Sequence, residues 1–456
     1  METILKFLQD FLTEPALLMG IVSFIGLVAL KRPGHKIMTG TLKPILGYIM
    51  LGAGADFIVG NLNPLGLMIQ EGFNITGVIP NNEAIVAVAQ TMLGVETMSI
   101  LVVGLIVNLV VARFTKFKYI FLTGHHSLFM ACLLSAVLQT SGFEGGMLIG
   151  VGGSILGLIS SIIPAIGQNY TQKMTDGDDV AIGHFGSLAY YVSAWVGSKV
   201  GNPENSTENT EIPEQWSFLR DTTISTALIM IVFYLGSAIA AGPEFVATLS
   251  GGKNLVLFAL LSAMKFSVGV TIVYSGVRMI LGDLLPAFQG IANKVIPNAI
   301  PAVDCAVFFT YAQTAVVIGF VSSFIGGIIG MLILGALGGV LIIPGMVAHF
   351  FCGATAGLYG NATGGKRGAI IGSFVNGLLI SFAPALLLPV LGNLGFQNTT
   401  FGDFDFAVVG ITLGKLYEIV GEAGVLGLLA ILVLIVIIPN FMKTKSNVIN
   451  NHYESK

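Results

Sequence analysis

Long apolar stretches follow one another along most of this 456-residue chain, separated by short polar breaks that contain glycine or proline. A membrane-spanning helix needs about 20 mainly apolar residues, and about 17 suffice when flanking side chains reach the interface. Eleven stretches meet this condition. They run over Pro15–Leu30, Pro44–Gly60, Thr97–Ala112, Tyr119–Gln139, Gly146–Gln168, Thr222–Ala241, Leu255–Val277, Gln313–Leu334, Ala336–Ala356, Gly368–Leu391 and Ala423–Ile438. The pattern predicts an all-α polytopic membrane protein with about eleven transmembrane helices.

Composition excludes several other classes of protein. Hydrophobic residues make up 54% of the chain and charged residues 10%, and the mean hydropathy is +0.87. Soluble domains carry about 25% charged residues, so a soluble enzyme is excluded. A net charge of −3 offers no basic surface to nucleic acid. Cys132, Cys305 and Cys352 lie far apart and are best explained as buried apolar residues, so no metal or cofactor is expected.

The distribution of positive charge predicts the orientation. Lys and Arg accumulate on the cytoplasmic side of membrane proteins. With the N-terminus outside and the C-terminus in the cytoplasm, all 21 Lys and Arg residues except Lys6, Lys253, Lys265 and Lys415 fall on the cytoplasmic side. The acidic N-terminal segment does not resemble a cleavable signal peptide. The predicted location is therefore the bacterial inner (plasma) membrane.

Span counting predicts two inverted repeats. Residues 1–201 hold five spans, residues 202–221 form an acidic cytoplasmic linker, and residues 222–392 hold five more. Because five is odd, the second set would sit inverted with respect to the first, as in many transporters. Residues 393–456 then supply an external segment, the last span and a cytoplasmic tail.

Four moderately apolar segments break the helical pattern, at Asn61–Glu96, Asp178–Gly201, Asp283–Asp304 and Gly345–Gly365. Non-helical backbone at membrane depth occurs only where it is buried in protein or lines a water-filled cavity. The segments therefore indicate re-entrant hairpins or horizontal helices around a polar pathway. Ordinary amphipathic helices at the membrane interface are the alternative.

Ionisable and amide side chains at membrane depth are the candidates for function. They are Asp56, Glu83, Glu96, His125, His126, Gln139, His184, Lys265, Asp304, Gln313 and His349. His125 and His184 stand out, because each follows a glycine at the boundary of an element and can exchange hydrogen bonds with a hydroxyl. Asp304 either caps the helix that follows it or accepts hydrogen bonds from substrate hydroxyls. His349 is better explained as an interhelical contact.

Five short motifs, in order, resemble the ascorbate-type IIC permeases of the bacterial phosphotransferase system; galactitol-type permeases are more distant relatives. The motifs are Leu122–His125, Thr175–Gly177, Ile182–His184, Gly276–Met279 and Val303–Cys305. The resemblance implies a homodimer, with a scaffold domain and a substrate-carrying core domain in each protomer. It also implies an elevator-like movement of the core. A separate IIB protein with a phosphocysteine, itself supplied through IIA, would phosphorylate the substrate.

The resemblance places His125, His184 and Asp304 in the substrate pocket. This chain has Phe129 and Phe185 where the family has glutamines. Around Asn82 and Glu83 the family's threonine and tyrosine are absent, and Gln139 is added to the candidate substrate-binding residues. A glutamate there disfavours a monoanion such as ascorbate, unless it is protonated or paired, and suits a neutral polyol. The solute is accordingly ascorbate or another sugar or polyol.

Two further function classes remain open. A cation- or proton-coupled secondary transporter would use Glu83, Asp56 or Glu96 as its ion site and would accumulate unmodified solute. A channel would show no saturation. No HExxH, GxSxG or paired-cysteine motif is present, so phosphoryl transfer is assigned to the partner protein and no catalytic residue is assigned to this chain.

Overall fold

The computed structural model describes residues 14–74, 77–210, 222–391 and 399–441, and it is mostly helical. The helices are α1 (Pro15–Ala29), α2 (Gly34–Phe73), α3 (Asn82–Phe114), α4 (Gly124–Thr140), α5 (Gly145–Met174), α6 (Ser187–Val200), α7 (Thr222–Ala241), α8 (Pro243–Ser250), α9 (Leu255–Lys294), α10 (Gln313–Ala336), α11 (Met346–Leu391), α12 (Phe404–Val420) and α13 (Glu422–Phe441). Two 3₁₀ turns cover Thr207–Asn209 and Cys305–Thr310.

Short strands interrupt the helices and pair in parallel. They are β1 (Ile79–Pro80), β2 (Tyr119–Phe121), β3 (Ala181–Ile182), β4 (Ile300–Val303) and β5 (Thr399–Thr400). One sheet has the order β2-β4-β3, and β1 pairs with β5 in a second sheet. Strands lie in three of the four segments where the sequence predicted a break in the helical pattern. Their ladders satisfy backbone groups that lipid could not satisfy.

Local chemistry sets several helix ends. Glu14 accepts a hydrogen bond from the amide of Ala16 and Pro15 occupies the first turn, so α1 begins there. Asn74 takes the left-handed conformation and ends α2. Gly242, with φ of +84°, lets the chain turn between α7 and α8, which are bent by 116°. A break at Gly365 (φ +57°, ψ −147°) divides α11.

Within the described residues, seven helices are long and apolar enough to cross a membrane, or eight if α7 and α8 form one bent span. The predicted number was eleven; the count of seven or eight takes the 46-residue α11, which is broken at Gly365, as one helix. The apolar part of α1, Met19–Ala29, is short. The predicted fourth span begins in β2 and its helix α4 has only 17 residues. Residues 337–345, inside the predicted ninth span, are not helical. The rest of that span and the predicted tenth span lie in α11 on opposite sides of the break at Gly365. Ser373 Oγ donates to Gly353 O across this break, so the two parts of α11 lie side by side.

For the predicted fourth span, the difference arises because hydropathy does not distinguish burial in protein from burial in lipid. Helix α4 is apolar around most of its circumference, and thirteen of its seventeen residues are buried inside the protein. This helix therefore belongs to the protein interior, although the sequence pattern assigned it to membrane contact. The inverted-repeat organisation stays a prediction.

Parts of two predicted domains can also be located. The described part of the predicted linker, residues 202–210, packs on the protein: the Thr207 amide donates to Asn361 Oδ1 at 2.8 Å, and Glu208 accepts from the amides of Thr314 and Ala315. Residues 211–221 lie outside the described residues. In the predicted C-terminal region, β5, α12 and α13 are described, whereas residues 393–398 and 442–456 are not.

Helices α2 and α9 cross at very short range. A Cβ atom added to Gly276 would lie 2.6 Å from the carbonyl oxygen of Gly47 and 2.6 Å from the amide nitrogen of Leu51. Only a residue without a side chain permits this approach, which is typical of membrane helices held by backbone contact. This crossing fixes α2, and α2 forms one wall of the cavity described below.

Replacing Gly276 with alanine is expected to lower the melting temperature of the detergent-solubilised protein, because the two backbones would have to separate. Overpacking of this kind costs about 1–3 kcal/mol. The control is Gly282→Ala on the same helix, where an added Cβ meets no atom within 4 Å. Thermal denaturation followed by intrinsic fluorescence measures the difference. Equal melting temperatures for the two variants would contradict the proposed tight crossing.

Candidate solute-binding site

The polar residues that follow three parallel strands lie at one edge of their sheet. His125 and His126 follow β2, His184 follows β3 and Asp304 follows β4. Two backbone bonds extend the ladder to this edge: the amide of Leu122 donates to Ala302 O at 2.8 Å, and the amide of Gly183 donates to Val303 O at 2.7 Å. Because carboxyl ends of parallel strands meet at the same edge, residues distant in sequence are brought together.

The parallel pair of β1 and β5 also places polar residues at one edge. Asn82 follows β1 and Asp403 follows β5. The amide of Gly402 donates to Asn82 Oδ1 at 2.8 Å, and Asn82 Nδ2 donates to Asp403 Oδ2 at 3.0 Å. Cys352 Sγ donates to Asp403 Oδ1 at 2.9 Å. Asp403 is thus a buried carboxylate whose two oxygens both accept hydrogen bonds.

These two edges face a cavity of about 280 Å³. One face of α2 forms the opposite wall, with Tyr48, Asp56 and Asn63 as its polar members. The remaining polar lining consists of Asn81, Asn82, His125, His126, His184, Asp304, Cys305 and Asp403. Among the described lining residues there is no lysine or arginine.

Asp304 links two of the imidazoles. Its Oδ2 lies 3.4 Å from His125 Nε2, and its Oδ1 lies 3.9 Å from His184 Nε2. Oδ1 also accepts a hydrogen bond from the amide of Cys305 at 2.6 Å, so this residue does cap the 3₁₀ turn that follows it. The capping role that the sequence suggested therefore leaves Oδ2 directed at the cavity. His125, whose side chain is 36% exposed, is the most accessible imidazole of the cluster.

Backbone donors assign the tautomers of the two buried imidazoles. His184 Nδ1 lies 3.1 Å from the amide of Gly186 and 3.0 Å from the Tyr190 hydroxyl. Since an amide can only donate, His184 Nδ1 is an acceptor and its proton is on Nε2, which faces Asp304. His126 Nδ1 likewise accepts from the amide of Phe185 at 3.4 Å. Both rings therefore offer an N–H from Nε2.

Three overlapping groups of side chains come close enough to suggest a metal site: His125, His126 and Asp304; His126, His184 and Asp403; His184, Asp304 and Cys305. Each group contains His126 or His184. A metal-bound histidine normally donates its second N–H to an acceptor, whereas Nδ1 of both these rings accepts from a backbone amide. The lone pairs are thus already engaged, and the arrangement suits a hydroxylated solute better than an ion.

The structure brings together five of the eight residues suggested by the sequence. His125, His184, Asp304, Asn82 and Phe129 line the cavity. Phe185 does not: it is buried behind the lining and stacks on Phe121 at 5.0 Å between ring centroids. Gln139 is exposed near the far end of α4 and lies outside the lining. The side chain of Glu83 lies outside the described residues.

Sequence reasoning missed Asp403, Tyr48 and Tyr190. Asp403 fell in the segment predicted to be external, yet it follows a two-residue strand and a glycine, much as His184 follows β3 and Gly183. That strand–glycine–polar pattern was the available signal. Tyr48, at 3.5 Å from His125 Nδ1, lies in an apolar helix with nothing local to mark it.

The sequence of this chain is similar to those of known permease components. The family model EIIC-GAT, described as the sugar-specific permease component of the phosphotransferase system, matches residues 10–405. The ascorbate-specific phosphotransferase EIIC component of Mycoplasma pneumoniae is 27% identical over 444 residues. That similarity covers 83% of this chain and 66% of the Mycoplasma protein. The matched range of the family model includes both strand edges and Asp403.

Proposed function

Because the chain belongs to the EIIC-GAT family of sugar-specific permease components of the phosphotransferase system, we propose that it carries a carbohydrate across the membrane while a separate phosphorylated EIIB protein phosphorylates it. The observation that carries this proposal, beside the family itself, is the cavity in which Asp304, Asp403 and three imidazoles converge. Carboxylates accept from hydroxyl groups and the Nε2–H groups donate to them, so a polyhydroxylated solute satisfies both kinds of partner.

The charge of the cavity favours a neutral solute. Asp56, Asp304 and Asp403 line it, and no lysine or arginine does so among the described lining residues. Two like charges 4 Å apart repel by about 4 kcal/mol at an effective dielectric constant of about 20. The related Mycoplasma protein is named ascorbate-specific. An ascorbate anion would approach three carboxylates here, whereas a neutral pentose or hexitol would donate hydrogen bonds to them.

The volume of the cavity also favours a small sugar or polyol as the solute. Pockets for drug-sized ligands span about 300–1,000 Å³, so a cavity of about 280 Å³ suits a single sugar unit. The cavity is walled by α2 on one side and by the two strand edges on the other. That division is compatible with an elevator-like movement of the strand-bearing part past α2, within the homodimer that the family resemblance implies.

Uptake into membrane vesicles tests the coupling. With phosphorylated EIIB inside, we expect a labelled pentose or hexitol to accumulate as its phosphate ester, because the partner traps the solute on arrival. Without EIIB, phosphorylated solute should be absent. Accumulation of unmodified solute that an uncoupler abolishes would instead identify a cation- or proton-coupled secondary transporter. The same panel includes ascorbate, whose clear preference over neutral solutes would contradict the charge argument.

Neutralising Asp304 and Asp403 in turn tests how the solute is bound. Asp304→Asn keeps an oxygen for the Cys305 amide, so folded protein should be retained while KM for the neutral solute rises. A hydrogen bond to a charged group is worth about 1.5–3 kcal/mol, which corresponds to roughly a 10- to 100-fold change. Asp403→Asn should raise KM similarly and also improve ascorbate uptake relative to the neutral solute.

The matched control for these variants is Glu204→Gln, an exposed carboxylate outside the cavity lining. It should change neither kinetic constant. Gel filtration of the solubilised protein measures the amount of folded Asp304→Asn protein. If that amount falls in proportion to uptake, Asp304 only caps the 3₁₀ turn and does not bind the solute.

We also propose that the N-terminus lies outside the cell and the C-terminus in the cytoplasm. Lys366 and Arg367, at the break in α11, are exposed and would then face the cytoplasm, in keeping with the bias of Lys and Arg toward that side. A fluorescent protein that matures only in the cytoplasm, fused to the C-terminus, should be fluorescent, and an alkaline phosphatase fused there should be inactive. The opposite pair of results would reverse the orientation.

A further inference from the structure

Asp405 is a buried carboxyl group that does not line the cavity. It lies in the first turn of α12, two residues after Asp403, and its exposed fraction is 0%. Charged residue types are rarely buried completely unless they are paired. Within the described residues no ion pair involves Asp405, so its burial calls for an explanation in terms of its hydrogen bonds.

Those hydrogen bonds hold the loop between His184 and α6. The amide of Asp405 donates to the carbonyl oxygen of Phe185 at 3.0 Å. Its Oδ1 accepts from the amide of Leu188, in the first turn of α6, at 3.1 Å. One residue from the far end of the sequence thus fixes both ends of the short segment 185–188.

That segment in turn orients the His184 ring. The amide of Gly186 and the hydroxyl of Tyr190 donate to His184 Nδ1, and the hydroxyl of Ser187 donates to the carbonyl oxygen of His184. The fit is tight, since a Cβ atom added to Gly186 would lie 2.6 Å from the Tyr190 hydroxyl oxygen. A shift of α6 would therefore move the Nε2–H that points into the cavity.

We propose that Asp405 is a positioning residue for solute recognition, which holds His184 in the Nε2–H tautomer and in contact with the cavity by anchoring segment 185–188. This proposal rests on the proposed function for its transport readout, but its geometric part concerns the chain alone. Misplacement of a binding group by about 1 Å weakens catalysis or binding by large factors, which is why an indirect anchor affects recognition.

The hydrogen bond from the Leu188 amide to Asp405 Oδ1 depends on its geometry and does not need a negative charge on Asp405. Asp405 Oδ2 is buried and has no hydrogen-bond donor among the described residues. An ionised carboxylate with one unsatisfied buried oxygen is costly, so an uncharged group that keeps the Oδ1 acceptor should serve equally well. Asparagine meets this requirement, whereas alanine and leucine do not.

Glu208 provides a matched control. It also places a carboxylate at the start of a helix, where Oε1 accepts from the amides of Thr314 and Ala315 at 3.0 and 3.2 Å. Neither Glu208 nor its partners line the cavity. A residue that merely caps a helix should therefore behave like Glu208, and a positioning residue should not.

The experiment compares Asp405→Asn, Asp405→Ala, Asp405→Leu and Glu208→Ala in full-length protein. Leucine has the same branching as aspartate but no acceptor oxygen and a larger volume, so it provides a second variant if the alanine variant fails to fold. We expect KM for the transported sugar to rise at least tenfold in Asp405→Ala and Asp405→Leu, with the maximal rate changed less than threefold. Asp405→Asn should stay within about twofold of the unsubstituted protein, and Glu208→Ala should lower the melting temperature without changing KM.

A second readout does not depend on transport. In protein labelled with ¹⁵N-histidine, the His184 signal, assigned through His184→Gln, should report the Nε2–H tautomer in the unsubstituted and Asp405→Asn proteins and a mixture in the alanine and leucine variants. An unchanged tautomer and unchanged KM in folded Asp405→Ala or Asp405→Leu would overturn the proposal. Absence of partner-dependent uptake in the unsubstituted protein would count against the proposed function, while the tautomer would still decide the role of Asp405.

Discussion

Backbone amides that leave a helix at membrane depth must find partners inside the protein, because hydrocarbon offers none. Here the partners are other short strands, paired in parallel across large separations in sequence. Tyr119 pairs with Ile300, Ala181 with Ala302, and Ile79 with Thr399. These pairings do more than satisfy the backbone, since parallel strands end at the same edge and each strand here is followed by a polar residue. The hydrogen-bonding requirement and the assembly of the site are met by the same contacts.

The electrostatic character of the site follows from this arrangement of strands. One edge contributes His125, His184 and Asp304, and the other contributes Asn82 and Asp403. Asp304 and Asp403 each already accept a hydrogen bond from a backbone or side-chain donor. Carboxylates held in this way are preorganised acceptors for hydroxyl groups. The family identity supplies the transport reaction, and the proposal of a neutral solute rests on the charges of the cavity.

Much of the helical framework could be predicted from the sequence, because apolar runs and their charged or proline-containing boundaries are local signals. The family resemblance was confirmed by the match over residues 10–405. The predicted fourth span corresponds to α4, which is apolar because it is buried inside the protein. Asp403 was missed for a different reason: a strand–glycine–polar pattern precedes it, but its position at the cavity depends on the pairing of β5 with β1, which the sequence does not reveal. His184 was marked by the glycine that precedes it at the boundary of an element.

Asp403 lines the cavity, whereas Asp405 supports the residues that line it. Only Phe404 separates them, yet Asp403 accepts from Asn82 and Cys352 at the cavity, whereas Asp405 accepts from Leu188 behind it. The extended backbone of Asp403 (φ −90°, ψ 146°) gives way to the first turn of α12, and this change directs the two carboxyl groups to different neighbours. One turn of chain thereby connects the cavity, Asn82 after β1 and the start of α6. On the proposed function, recognition therefore depends on the residues that fix His184 as well as on those that line the cavity.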